Sequence, residues 1–224
     1  IWGGSISWAY INKQASLQKK ADVLQLTDDP PRYLTAKQLM NRAPGVEPGD
    51  VALAFETVRD GHVEPVFATN RYLAAAEAHG AKLIYPCTVE KVEVESGRIA
   101  GVRTSKGAFA LDALVSATGT DTPRLMQMVS RSFALGHRPG LVVHTDRQPV
   151  ITPMVFEASS IIEFKQYADG RYLTSFTAGP PELPQHENVM KEMINYPNPD
   201  LQQWHGDMLI ERTSKYLPAI AKAK

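Results

Sequence analysis

The chain has 224 residues, enough for one large or two small domains, and its 24 basic and 24 acidic residues give a formal net charge of zero. That balance leaves no basic stripe for nucleic acid and no acidic tail, and no apolar run approaches membrane-spanning length. A single cysteine, Cys87, excludes an internal disulfide and fits a reducing compartment; with no basic and apolar leader at its start, the sequence reads as cytoplasmic.

Residues 1–12, IWGGSISWAYIN, open on apolar and glycine residues; Gly3-Gly4 lets the backbone approach a ligand closely, and Trp8, Tyr10 and Ile11 supply flat apolar surface. Residues 14–26 have helical propensity, which Asp28-Asp29-Pro30-Pro31 breaks. Thr35 is placed as the N-cap of a second helix. Residues 69–79 read as a third helix, closing at Gly80, the residue type that most easily takes the left-handed C-cap conformation. His79 lies in its last turn, where the helix dipole favours a cation. A short apolar strand is expected at 82–85. Three β-segments follow, separated by the turns Ser96-Gly97 and Ser105-Lys106-Gly107. In the first of them Val92 and Val94 alternate with Glu93 and Glu95, as on a strand with one wet face.

Residues 111–118 are nearly all small or apolar, which predicts a parallel strand buried on both faces and running into Ala117-Thr118-Gly119. A short methionine-rich helix is expected over 123–129. Four β-segments, 141–145, 151–157, 161–167 and 172–178, predict an antiparallel sheet with one face packed and one open, Asp169-Gly170 turning between the last two. Residues 180–184 form a linker by composition and 186–194 look helical. The last helix is capped by Asn198, starts at Pro199, carries Leu201, Trp204, Met208, Leu209 and Tyr216 on an apolar stripe, and stops near Pro218.

No catalytic triad or phosphate-binding loop is present, and the six histidines form no HxxxH or HExxH spacing, so no metal site is expected. Cys87 has no CxxC partner and reads as an inert thiol. No GxGxxG occurs anywhere, so these residues lack the glycine-rich turn whose N–H groups would meet a pyrophosphate.

In the order of its segments the chain resembles the flavin-dependent amine and D-amino acid oxidase family, which includes glycine oxidase, sarcosine oxidase and D-amino acid dehydrogenases. The likeness rests on Arg42-Ala43-Pro44-Gly45-Val46, on Gly61-His62-Val63-Glu64-Pro65 ahead of a helix, and on the meander that hands over to an Ala-Thr-Gly strand end. Residues 137–145 and Asp169-Gly170-Arg171 add to it, resembling parts of the family's substrate-domain sheet. The resemblance implies an α+β or α/β fold containing pieces of a Rossmann-like FAD-binding domain (meander plus parallel strand) and an antiparallel-sheet substrate domain. Residues 1–20 and 61–132 would belong to the former, and 21–60 and 133–224 to the latter, whose sheet roofs the substrate cavity.

The implied cofactor is FAD. Ser5, Ser7 and Trp8 match a stretch beside the flavin, Val89 matches a position whose backbone meets the adenine, and Ala117, Thr118 and Gly119 match a strand end near the diphosphate. For each, ordinary packing stays open as the alternative. Arg138 and His144 either face an amino-acid carboxylate or are solvated sheet residues. The family has a longer excursion between Asn12 and Ala21, and a closing flavin-binding segment after Pro218, so the chain resembles the middle of a flavoenzyme and is expected to be inactive alone. The implied chemistry is hydride transfer from the carbon beside an amine to flavin, giving an imine that water hydrolyses. Implied partners are an amine or amino acid and an electron acceptor, oxygen or a redox protein, with self-association open. The alternative is a non-catalytic subunit or scaffold of the same ancestry that binds a partner without flavin.

Overall fold

The computed structural model describes residues 2–135, 142–152, 154–159, 161–177 and 199–223. In chain order its elements are β1 (Ser5–Ala9), α1 (Gln14–Leu24), β2 (Arg32–Tyr33), α2 (Ala36–Arg42), β3 (Leu53–Thr57), α3 (Pro65–Ala78), β4 (Val89–Glu95), β5 (Arg98–Thr104), β6 (Gly107–Ala110), α4 (Thr122–Gln127), β7 (Val142–Arg147), β8 (Val155–Ala158), β9 (Ile162–Gln166), β10 (Arg171–Phe176) and α5 (Pro199–Ser214). They divide into two units, Ile1–Glu64 with Arg138–Lys224, and Pro65–His137. The class is mixed α and β, with a seven-stranded sheet in the first unit and a three-stranded one in the second.

The large sheet runs β2-β3-β1-β8-β9-β10-β7. It is mixed rather than wholly antiparallel, because β1 pairs with β8 in parallel while the other pairs are antiparallel. Residues 1–20, grouped above with 61–132, contribute β1 to this sheet, between β3 and β8. Alternation along β8, β9 and β10 sends Phe156, Ala158, Ile162, Phe164, Tyr172, Thr174 and Phe176 to a packed face. There all but Thr174 join Ile6, Trp8, Leu39, Leu209, Leu217 and Ile220 in one apolar cluster. At its centre Trp8 meets Phe156, Phe164 and Tyr216 edge-on at 6.5, 6.4 and 5.8 Å.

Thr35 caps α2 as its sequence predicts: its hydroxyl accepts from the N–H of Gln38 at 3.2 Å, and the Gln38 side chain accepts from the N–H of Thr35 at 2.8 Å. The predicted stripe holds at Leu209, which is buried, and at Met208 and Tyr216, which pack against the cluster, whereas Trp204 stays 44 % exposed; among the described residues the other buried positions of α5 are His205 and Thr213. Thr213 suits the interior because its hydroxyl bonds that of Thr174 at 2.7 Å. The linker expected at 180–184, the helix at 186–194 and the cap at Asn198 lie outside the described residues.

In the second unit β4, β5 and β6 form the predicted meander, with Ser96 and Gly97 both at positive φ in the first turn. Val92 is buried, but Val94 is half exposed; between Glu93 and Val94 the register shifts, leaving Ala100 of β5 as the extra residue of a bulge. Residues 111–118 do not form the expected parallel strand: beyond Leu111 N–H bonding the carbonyl of Ala100, no ladder continues. A parallel strand takes all its bonds from neighbours, and no strand among the described residues runs alongside. Residues 82–85 likewise form no strand. Helix α3 starts earlier than predicted, ends at Gly80 with φ 92°, and buries none of its fourteen residues, leaving Val66, Phe67 and Tyr72 at 74, 67 and 80 % exposure.

Candidate functional site

The face of the large sheet opposite the apolar cluster is mainly polar; it is open at Glu163, Val142 and His144 and closed over Phe55, Ser7 and Thr57. Strand register sets two adjacent rows of side chains on it. One runs Phe55, Ser7, Glu157, Glu163, Ser175 and Val142, and the other Thr57, Ser5, Val155, Lys165, Leu173 and His144. Helix α1 covers the first end, where Leu17 and Ala21 bury Phe55 and Ala9. From the same helix Lys20 reaches down to the first row, pairing with Glu157 and approaching the Ser7 hydroxyl at 3.4 Å. Ser7 in turn donates to Glu157 at 3.3 Å, and the hydroxyls of Ser5 and Thr57 are 2.6 Å apart. Beside this end a cleft of about 470 Å³ is lined by Ser5, Lys20, Phe55, Thr57, Arg59 and Asp60.

Farther along, Tyr167 extends the same alternation beyond β9 and lies almost fully buried. His144 lies parallel to its ring at 5.8 Å, His62 meets it edge-on at 5.7 Å, and Lys165 and Arg171 stand over it at 5.2 and 5.5 Å. Burial pushes the Lys165 ammonium below the usual lysine range, against smaller opposing pulls from Glu64 and Glu163. Burial also pushes the Glu163 carboxyl up, although the residue is exposed overall, and the neighbouring carboxylate of Glu157 adds to the rise. His62 is held below the usual histidine range by burial first and by Lys165 second.

Of the residues singled out from sequence, Ser5, Ser7 and His144 share this face; His144 is exposed, Ser5 partly so, and Ser7 is buried beneath α1. Trp8 points to the packed face, where its indole N–H donates to the carbonyl of Pro48 at 3.2 Å. Arg138 lies outside the described residues. Val89, Ala117, Thr118 and Gly119 fall in the second unit. Arg124 links Val89 to Asp121, two residues beyond Gly119: it grips Asp121 through both carboxylate oxygens at 2.6–2.9 Å and donates to the carbonyl of Val89 at 3.4 Å. Ala117, Thr118 and Gly119 are exposed, and a Cβ on Gly119 would meet nothing within 4 Å, so this turn leaves room for a group against the backbone. That open backbone is what this chain offers a bound nucleotide, while a glycine-rich GxGxxG turn to cradle a pyrophosphate is not in the sequence.

Sequence reasoning did not single out Lys20, Glu157, Glu163, Lys165 or Arg124. A polar alternation such as Glu163 and Lys165 looks the same on any half-exposed strand, and only register reveals what stands beside it. Among the described residues no group of three or more His, Cys, Asp and Glu side chains could hold a metal ion, and no helix is long and apolar enough to cross a membrane.

A family model described as FAD dependent oxidoreductase matches residues 2–224. Curated relatives include the D-amino acid dehydrogenase of Cereibacter sphaeroides strain ATCC 17023, 37 % identical over 84 residues, which are 35 % of this chain and 19 % of that protein. The D-amino acid dehydrogenase of Rhizobium rhizogenes strain K84 is 41 % identical over 65 residues, 29 % of this chain and 16 % of that protein. Among solved structures, L-proline dehydrogenase from P. horikoshii matches with a TM-score of 0.77 at 18 % identity, and glycine oxidase from Geobacillus kaustophilus with 0.75 at 24 %. Both likenesses cover the whole of this chain, and 58 % and 56 % of theirs, so the chain spans little more than half of those folds and a smaller part of the curated relatives.

Proposed function

Because the chain belongs to the FAD dependent oxidoreductase family, we propose that the whole protein oxidises the C–N bond of an amino acid, a D-amino acid being favoured by the D-amino acid dehydrogenases it resembles. The observation that carries this reading is the family match over residues 2–224. In the proposed reaction the α-carbon gives up a hydride and the amine a proton, leaving an imine that water hydrolyses to the oxo acid and ammonia; an electron acceptor, oxygen or a redox protein, then takes the two electrons. When bound, FAD would supply the hydride acceptor.

The chain's own residues bind and orient. The open face of the large sheet forms the substrate side, with Ser5 and Ser7 along it and Trp8 holding β1 rigid from behind. The exposed turn of Ala117, Thr118 and Gly119, with Val89 beside it, is the proposed contact for the nucleotide edge. His144, on the same face and stacked on Tyr167, is the proposed contact at the substrate side.

The visible spectrum of the purified full-length protein tests this, before and after acid precipitation. A flavin spectrum released into the supernatant and bleached anaerobically by an amino acid is the expected result. A protein that stays colourless when FAD is added would overturn the reading.

A further inference from the structure

We propose that Glu163 and Lys165, two residues apart on the open face of β9, orient a zwitterionic amino acid, Lys165 taking its carboxylate and Glu163 its ammonium group. The inference rests on the amino-acid oxidation proposed above. Alternation puts both side chains on one face, with Cα atoms roughly 7 Å apart along the strand. They stand in adjacent rows, so the face changes sign between them: Glu157 and Glu163 lie directly opposite each other in one row, and Lys165 shares the next with His144.

The two charges differ from their neighbours in having no ion pair among the described residues. Glu157 has Lys20, Arg171 has Asp169, and Arg147 lies 4.0 Å from the same aspartate. Lys165 stands over the face of Tyr167, and that ring is itself held by His144 and His62. A cation on an aromatic face keeps its hydrogen-bond donors available. Both charges also sit where the fold penalises them: burial disfavours each charged form, and Glu157 adds to the penalty on Glu163. Opposite charges held at fixed spacing on one strand, each at a cost to its charged form, suit a ligand that carries both charges.

The test uses the flavin-loaded full-length protein, with a D-amino acid and its carboxamide, which keeps the amine and the α-hydrogen but lacks the carboxylate. Lys165→Met should raise KM for the acid at least tenfold with kcat little changed, leave KM for the carboxamide unaltered, and be partly rescued by Lys165→Arg. Glu163→Gln should raise KM for both compounds at least tenfold while the protein melts no lower than wild type. Thermal unfolding of each variant separates a lost contact from a lost fold. Equal effects of Lys165→Met on acid and carboxamide, or no effect of either substitution, would overturn the inference and leave amino-acid oxidation standing. If neither compound bleaches the wild-type flavin, amino-acid oxidation fails and this inference falls with it.

Discussion

Trp8 gives its indole N–H to the carbonyl of Pro48 and fills the centre of the packed face, with three aromatic rings around it. Trp8→Ala should cost about 3–5 kcal/mol, read from the shift of a denaturant midpoint. Tyr172 belongs to the same layer, but its buried hydroxyl finds no hydrogen bond among the described residues. Tyr172→Phe removes an unpaid desolvation and keeps the ring, so stability should stay within about 1 kcal/mol of wild type or rise. Glu163 gives a pH-dependent case. Its carboxyl is raised in the folded state by burial and by Glu157, while Lys20 and Lys165 pull the other way. The folded protein therefore binds a proton more readily here than the unfolded chain, and the penalty is present above the folded value and relieved as pH falls through it. Melting curves should show Glu163→Gln more stable than wild type at neutral pH, with the gain vanishing as pH drops towards the ordinary carboxylate range.

The reciprocal cap at the start of α2 is a test at the level of one element: Thr35→Ala should cost about 1 kcal/mol by thermal melting. That cap was legible because every group in it lies within four residues, and the same holds for the Ser96-Gly97 turn, the Asp169-Gly170 turn and the Gly80 helix end. Elements whose form depends on distant partners were not legible. Residues 111–118 have the composition of a buried parallel strand, yet nothing in a run of small apolar residues states which strands would flank it. Val94 looks like a partner of Val92, yet it is half exposed where Val92 is buried, next to a register shift that alternation does not announce. On α5 apolarity pointed to Trp204, whereas the polar Thr213 is enclosed because Thr174, 39 residues earlier, offers its hydroxyl.

At the level of the whole molecule, the sheet order places β1 between β3 and β8, and β8 begins about 150 residues after β1. No local pattern encodes that adjacency, so the sequence offered Ser5 and Ser7 as site residues but not the Glu157 and Lys20 that accompany them. The open and packed faces themselves were legible, from alternation along β8 to β10. What order of segments conveyed was family, which local residues alone did not. Helix α3 shows Val66, Phe67 and Tyr72 to solvent on a chain whose formal charges cancel. Apolar surface without net repulsion favours self-association. Expressed as these 224 residues, the polypeptide should scatter light increasingly with concentration near neutral pH, and Phe67→Lys with Tyr72→Lys should clear the solution without altering its melting temperature.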